Sequence, residues 1–182
     1  MKTLQVRTQT RLRTAFFALF ALTLFHAITP AHAGVGEQHL VLDVPASTGW
    51  TAVVPMHLNK DGFTDLLSYN ASTGRTVYSV ATTVPGAQQI VLDLTAAPGW
   101  TTVVPMNING DALTDLLSYN ATTGRAVYSV AASVPGSQLT ALEVQASPGW
   151  TTLVPMNING NVLTDLLSYN KTTGRAVYSV SD

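Results

Sequence analysis

The clearest absence in this 182-residue chain is cysteine, so disulfide bonds contribute nothing to its stability. Charge is also scarce, with only 10% of the residues charged. Beyond residue 33 the chain keeps five basic and ten acidic residues, which gives a net charge of −5. Nucleic-acid binding requires clustered lysine and arginine, so we do not expect a nucleic acid as partner. Stability must come from a packed core, from bound ions or from assembly.

Only the N-terminus carries a long apolar run. It covers residues 15–28, follows a basic start and precedes a small-residue pattern that ends at Ala33. These are the three parts of a secretory signal, so we predict a signal peptide over residues 1–33, cleaved before Gly34. The run is shorter than the ~20 residues that a membrane span needs, and no second such run follows. The expected location is therefore secreted, either extracellular or periplasmic.

A repeat of 50 residues organises everything after Gly34. Trp50, Trp100 and Trp150 mark three copies of the same text, which divide the chain into repeats over 34–85, 86–135 and 136–182. Residues 99–130 and 149–180 differ at only four of 32 positions. Such similarity indicates recent duplication, so identity between the copies does not by itself mark a functional site.

Each repeat is expected to form four short strands. In the first repeat, alternating or β-rich patterns predict strands over 40–44, 50–56, 66–69 and 77–80, with a hairpin loop that turns at Gly74. We therefore predict an all-β fold of three four-stranded, propeller-like blades. Twelve strands also fit a closed, threefold-symmetric unit of the β-trefoil kind, and that alternative stays open. Propellers typically need 4–8 blades, so three blades predict a homo-oligomer, most simply a dimer with six.

A polar loop joins the second and third strands of each repeat. In the first repeat it runs from His57 to Asp65 and places side-chain oxygens at alternate positions before a final acid. A hard cation such as Ca²⁺ requires oxygen ligands of this kind. Asparagine and aspartate also form turns by capping their own backbone, which is the alternative role for these residues.

This loop, with the Asp-Leu-Leu-Ser-Tyr-Asn and Thr-Gly text that follows it, resembles the FG-GAP/VCBS repeats of secreted and cell-surface β-propellers. The resemblance covers about 30 residues of each copy. It implies weak Ca²⁺ binding in the first two copies, where histidine or asparagine replaces the usual first aspartate. The implied ligands are Asn59, Asp61, Phe63 and Asp65 in the first copy, and Asn107, Asn109, Asp111, Leu113 and Asp115 in the second. The third copy keeps only Asp165 as a carboxylate, and no useful site is expected there.

Aromatic and arginine side chains are the candidate ligand-binding groups. Propeller lectins that resemble this family bind glycans between blades, and tryptophan and tyrosine rings can stack on sugars. The same rings also suit core or blade-to-blade packing, and both roles are open. The candidate residues are Trp50, Trp100, Trp150, Tyr69, Tyr119, Tyr169, Arg75, Arg125 and Arg175.

Catalytic motifs are lacking. There is no nucleophile elbow and no zinc-binding helix motif, and the part after residue 33 has only two histidines. We therefore expect a non-enzymatic binding module of lectin-like or adhesive type. A calcium-stabilised structural repeat and a fragment of a larger propeller enzyme are the alternatives.

Overall fold

A computed structural model describes residues 48–182 of the chain. The predicted signal peptide and the predicted strand over 40–44 lie outside the described residues. Within them all regular structure is β, as the sequence predicted, and no helix is present that could cross a membrane.

Eleven strands form three antiparallel sheets, each a simple up-and-down meander. None of the sheets is closed among residues 48–182, so the closed threefold alternative finds no support there. Sheet I contains β1 (Ala52–Met56), β2 (Asp65–Tyr69), β3 (Arg75–Ala81) and β4 (Gln88–Thr95). Sheet II contains β5 (Thr102–Met106), β6 (Asp115–Tyr119), β7 (Arg125–Ala131) and β8 (Gln138–Gln145). Sheet III contains β9 (Thr152–Met156), β10 (Asp165–Asn170) and β11 (Arg175–Ser179).

The grouping of strands into sheets differs in phase from the sequence repeat. β1, β2 and β3 correspond to the strands predicted over 50–56, 66–69 and 77–80. The strand Gln88–Thr95 falls at the start of the second sequence repeat. It pairs with β3 and is the outer strand of sheet I. A sequence period of 50 residues does not show which strand begins each structural unit. The hydrogen bonds between strands show which strands share a sheet.

The sheets stack face to face, and their first strands contact one another. Strand alternation gives each sheet two apolar faces. The front face of sheet I carries Val54, Leu67 and Tyr78, and it packs on the back face of sheet II, which carries Leu116 and Val127. We call this the I–II junction. The II–III junction repeats the arrangement with the front face of sheet II and the back face of sheet III.

The connection between consecutive sheets is held by a tyrosine. Residues 96–101 lead from the outer strand of sheet I to the inner strand of sheet II. The Tyr69 hydroxyl donates a hydrogen bond to the Ala97 carbonyl at 2.9 Å and accepts one from the Trp100 backbone N–H at 3.1 Å. Tyr119 makes the same pair of bonds to Ser147 and Trp150 at the next connection. The backbone of each tryptophan is fixed in this way, and each of these two connections places one tryptophan in the core of its junction.

Backbone and hydroxyl groups also tie the polar loops of consecutive sheets together. The His57 N–H donates to the Thr114 hydroxyl at 2.7 Å, and the Thr114 N–H donates back to the His57 carbonyl at 3.0 Å. Asn107 and Thr164 exchange the same two bonds at the II–III junction. The corresponding groups, Thr64 and Asn157, lie at the two ends of the stack.

Candidate functional site

A cavity of about 370 Å³ lies at the I–II junction, between the outer halves of the two sheets. Small-molecule sites in proteins typically measure about 300–1,000 Å³, so this cavity is large enough for a compact ligand. Its walls differ in chemistry. Aromatic and aliphatic side chains, among them Tyr78, Leu92 and Trp100, form one part, and polar side chains from β7 and β8 form the other.

Trp100 and its charged neighbours form one end of the cavity. The indole is 9% exposed, and the Arg125 guanidinium lies over the ring, 4.8 Å from its centroid. Arg125 also donates two hydrogen bonds to the Glu143 carboxylate on the neighbouring strand, the shorter at 2.7 Å. These hydrogen bonds lower the pKa of Glu143 and raise that of Arg125. The stacked and paired arginine is therefore held in one orientation, with its charge matched in place.

Gln138, at the start of β8, lines the cavity and has an unused hydrogen-bond acceptor. Its side-chain N–H group donates a long bond of 3.4 Å to the Thr114 carbonyl. Its Oε1 atom is buried and has no hydrogen-bond partner, and it is the one such side-chain atom found among the described residues. Buried polar atoms are nearly always paired, because desolvation without a partner is costly. An unpaired acceptor in a cavity wall is suited to a donor on a bound molecule.

Tyr78 and Gly136 set the width of the cavity. Gly136 has a φ of +81°, and a β-carbon at this position would lie only 2.8 Å from the Tyr78 Cβ atom. Glycine alone allows the loop before β8 to approach the tyrosine so closely. Tyr78 is itself buried, and burial raises its pKa to about 12. The tyrosine therefore stays a neutral phenol at ordinary pH.

A cavity of about 150 Å³ lies at the II–III junction; most of its lining corresponds to a second cavity of about 50 Å³ at the I–II junction, and part of it to the larger one. Tyr128 and Trp150 line it as Tyr78 and Trp100 line the first, and Ser168 and Ser179 take the places of Ser118 and Ser129. The wall that β8 supplies at the I–II junction has no counterpart here, because sheet III has no fourth strand among residues 48–182.

The structure places the ligand-binding candidates in three settings. Trp100 and Arg125 line the I–II cavity, and Trp150 lines the II–III cavity. The hydroxyls of Tyr69 and Tyr119 serve the sheet connections, and both rings are buried, whereas Tyr169 is exposed on sheet III. Two further arginines stack on tryptophans: Arg175 lies over Trp150, 5.4 Å from the ring centroid, and Arg75 lies over Trp50 on sheet I, at 5.2 Å.

Each Ca²⁺ candidate loop is built from side-chain-to-backbone hydrogen bonds. The Asp61 carboxylate accepts bonds from the Phe63 N–H and from the Asn59 side chain. Asn109, Asp111 and Leu113 repeat this turn in the second loop. The Asn107 side chain instead donates across the junction to the Val162 carbonyl at 3.1 Å. Turn formation thus accounts for these residues, and calcium binding by them stays a prediction.

The last acid of each loop is fully buried and joins two segments of backbone. Asp65 accepts hydrogen bonds from the Leu58 N–H at 2.7 Å and from the Ala81 N–H at 2.9 Å. Asp115 and Asp165 occupy the same position in sheets II and III. The N–H groups of Ser181, Ile158 and Asn159 lower the pKa of Asp165. These carboxylates hold the loop against the end of the third strand, with both oxygens occupied. Within the described residues, no group of three or more metal-ligating side chains was found.

Sequence reasoning did not select the polar cavity wall. Gln138, Thr140 and Glu143 lie on the outer strand of sheet II, where the sequence gives no sign that they face a neighbouring sheet. Gln138 and Thr140 are two residues apart, and the register shift between Tyr128 and Ser129 brings Glu143 to the same side of β8, so spacing along the sequence alone does not group the three.

Comparison of the chain with protein-family models, curated proteins and solved structures finds no match. The FG-GAP/VCBS resemblance therefore stays a prediction that rests on the repeated residues alone.

Proposed function

We propose that this protein is a secreted, non-enzymatic binding module whose ligand is a glycan unit, taken up in the I–II cavity. The observation that carries the proposal is a cavity of about 370 Å³ whose wall combines aromatic and aliphatic groups with the hydroxyl groups of Ser118, Ser129 and Thr140. Gln138 lines the same cavity, and its unpaired Oε1 atom would gain a sugar hydroxyl as donor once the amide turns toward the cavity.

The composition of the walls supports a polyhydroxylated ligand. Ser118, Ser129 and Thr140 offer hydroxyl groups that both donate and accept hydrogen bonds, and aromatic and aliphatic groups stand beside them. A pyranose has the same division, with hydroxyls around its edge and C–H groups on its faces. The Arg125–Glu143 pair leaves no unmatched charge in the wall, which favours a neutral sugar over an anionic one.

A structural repeat is the second candidate function. It is favoured by the loop carboxylates, which bind backbone N–H groups of their own sheet, and by the paired bonds that tie each loop to the next. In this role the loops, with or without Ca²⁺, only stabilise the stack, and the cavity has no ligand.

A glycan array probed with the signal-cleaved protein tests the proposal, followed by calorimetric titration with the strongest monosaccharide. Gln138→Met removes the free acceptor with little change in volume, and we expect it to weaken binding roughly tenfold, as for one lost hydrogen bond. Gln145→Met is the matched control, because Gln145 lies on the same strand, bonds to the Thr123 carbonyl and does not line the cavity.

Two results would contradict the proposal. The first is the absence of binding to any glycan on the array. The second is equal loss of affinity in both glutamine variants, since that would place the ligand outside the cavity.

A further inference from the structure

Sheet III exposes a strand edge that the other two sheets cover. β3 pairs with β4 and β7 pairs with β8, whereas β11 has a neighbour on only one side among residues 48–182. Arg75 is bonded to Asp93 and Arg125 to Glu143 on those outer strands. Arg175 holds the same position on β11 and has no carboxylate partner among the described residues. An exposed edge of this kind is a template for an added strand.

The front face of sheet III is uncovered as well. Tyr178 is 63% exposed, but its counterpart Tyr78 at the I–II junction is only 5% exposed. Tyr169 is 38% exposed, while Tyr69 and Tyr119 are buried. Exposed apolar faces of this kind mark interaction surfaces.

The surface that would fit this face is present at the other end of the same chain. The back face of sheet I carries Val53, Leu66 and Val77, in the positions of Val103, Leu116 and Val127, which pack in the I–II junction. On this face Val53 is 57% exposed, whereas Val77 is buried within its own chain. Thr64 and Asn157 are the end groups of the loop-to-loop bonds. A second copy of the chain therefore fits sheet III as sheet II fits sheet I.

The sequence before residue 48 contains a match to the outer strand of sheet I. Residues 38–44 (Gln-His-Leu-Val-Leu-Asp-Val) match residues 88–94 of β4 (Gln-Gln-Ile-Val-Leu-Asp-Leu), and Asp43 corresponds to Asp93. Applied to β11, the β3–β4 register would place Val44 opposite Ala176 and Leu42 opposite Tyr178. In this register Asp43 reaches Arg175 as Asp93 reaches Arg75.

The reach of the chain decides which copy supplies this strand. Trp50 is fixed against sheet I beneath Arg75, and the described chain begins at Thr48. Stacked sheets lie about 10 Å apart, so sheet III is about 20 Å beyond sheet I. The four residue steps from Val44 to Thr48 span at most about 14 Å. The segment therefore cannot reach sheet III of its own chain, but it can reach the sheet that packs behind its own sheet I.

We propose that residues 38–44 of a second copy add to the edge of β11 as the fourth strand of sheet III, with Asp43 paired to Arg175. The added strand supplies Gln38 and Asp43 at the positions that Gln138 and Glu143 occupy around the I–II cavity. The II–III cavity is thus incomplete in one chain and is completed by the second copy. This inference concerns assembly and holds whether or not the cavities bind a glycan.

Cysteine cross-linking tests the proposal on the signal-cleaved chain, which has no cysteine of its own. One chain carries Val44→Cys and another carries Ala176→Cys, at positions that correspond to the Thr76–Leu94 and Ala126–Val144 pairs. Opposed residues of paired strands have Cα atoms about 4.5–5.5 Å apart, which suits a disulfide. We expect the mixed chains to form a disulfide-linked heterodimer that a reductant separates into monomers. Each variant alone should stay largely unlinked.

A double variant that carries both substitutions shows whether the added strand comes from the same chain or from a second copy. A covalent multimer on a non-reducing gel supports exchange between copies, whereas an intrachain disulfide in a monomer would overturn it. Val41→Cys replaces Val44→Cys in the control, because Val41 matches Val91 at the register shift of β4 and should not cross-link. Absence of any cross-link in the folded mixture would also refute the added strand.

Charge reversal gives a second measurement, by sedimentation equilibrium. Arg175→Asp places two acids together and should weaken self-association roughly tenfold, and adding Asp43→Arg should restore it. Arg75→Asp is the control, since its partner Asp93 belongs to the same chain and the mass in solution should not change. A wild-type protein that stays monomeric at all concentrations would contradict the proposal. Loss of glycan binding with intact cross-linking would overturn only the proposed function.

Discussion

Removal of the Tyr119 hydroxyl tests the physical account of how consecutive sheets are joined. In Tyr119→Phe the ring and its packing remain, but two hydrogen bonds are lost. The Ser147 carbonyl is exposed and can bond to water instead, whereas the Trp150 N–H is buried and loses its acceptor. An unpaired buried donor costs about 1–3 kcal/mol, so we expect the free energy of unfolding to fall by about 2 kcal/mol.

The chain contains a matched control at the third copy of this position. Tyr169 is part of the same repeated text, but its hydroxyl has no described connection to hold, and the ring is exposed. Tyr169→Phe should therefore change the free energy of unfolding by less than about 0.5 kcal/mol in dilute solution. If a second copy packs on sheet III, Tyr169 gains an equivalent connection, and the cost of its substitution should rise with protein concentration.

Urea denaturation followed by far-UV circular dichroism measures both variants, provided that the slope with urea is unchanged. Tyr69→Phe should behave as Tyr119→Phe does, because Tyr69 makes the same two bonds at the I–II connection. A loss below about 0.5 kcal/mol in Tyr119→Phe would refute the reasoning, as would an equal loss in Tyr169→Phe at high dilution.

Two further predictions concern pH and metal. Burial raises the pKa of Tyr78 to about 12, so its contribution to stability is complete below pH 10 and should be lost as the pH rises from about 10 to about 12. This loss amounts to about 2–3 kcal/mol, and alkaline unfolding of Tyr78→Phe should lack it. Asp115→Ala leaves the Ile108 and Ala131 N–H groups unpaired and should lower the melting temperature equally in Ca²⁺ and in a chelator. A loss seen only in Ca²⁺ would instead make Asp115 a calcium ligand.

The sequence was sufficient to predict the β class and most strands, because both depend on local patterns. The strand at residues 66–69 and the turn at Gly74 are read within a few residues of sequence, and Gly74 has the expected positive φ of 74°. The repeat also located the tryptophans correctly at equivalent points. The repeat did not predict that Gln88–Thr95 belongs to sheet I, because this depends on pairing between strands.

The cavity was less predictable than the fold, for a physical reason. Trp100 and Arg125 were candidates because aromatic rings and cations stand out in any sequence. Their stacking on each other was not expected, and it uses one side of the indole that an incoming sugar would otherwise meet. Gln138 gains its interest only from burial without a partner, a property of the packed sheets that residue type alone does not carry.

The delivery of one indole by each connection has a spectroscopic consequence. The chain has three tryptophans: Trp100 and Trp150 are buried at the I–II and II–III junctions, and Trp50 stacks under Arg75 on sheet I. The fluorescence of Trp100 thus reports on the I–II junction, and that of Trp150 reports on the II–III junction. With two indoles replaced by phenylalanine, the fluorescence of the third reports the opening of its own boundary, and Trp50 reports docking of another molecule. The molecule therefore carries an optical reporter for every interface that holds it together.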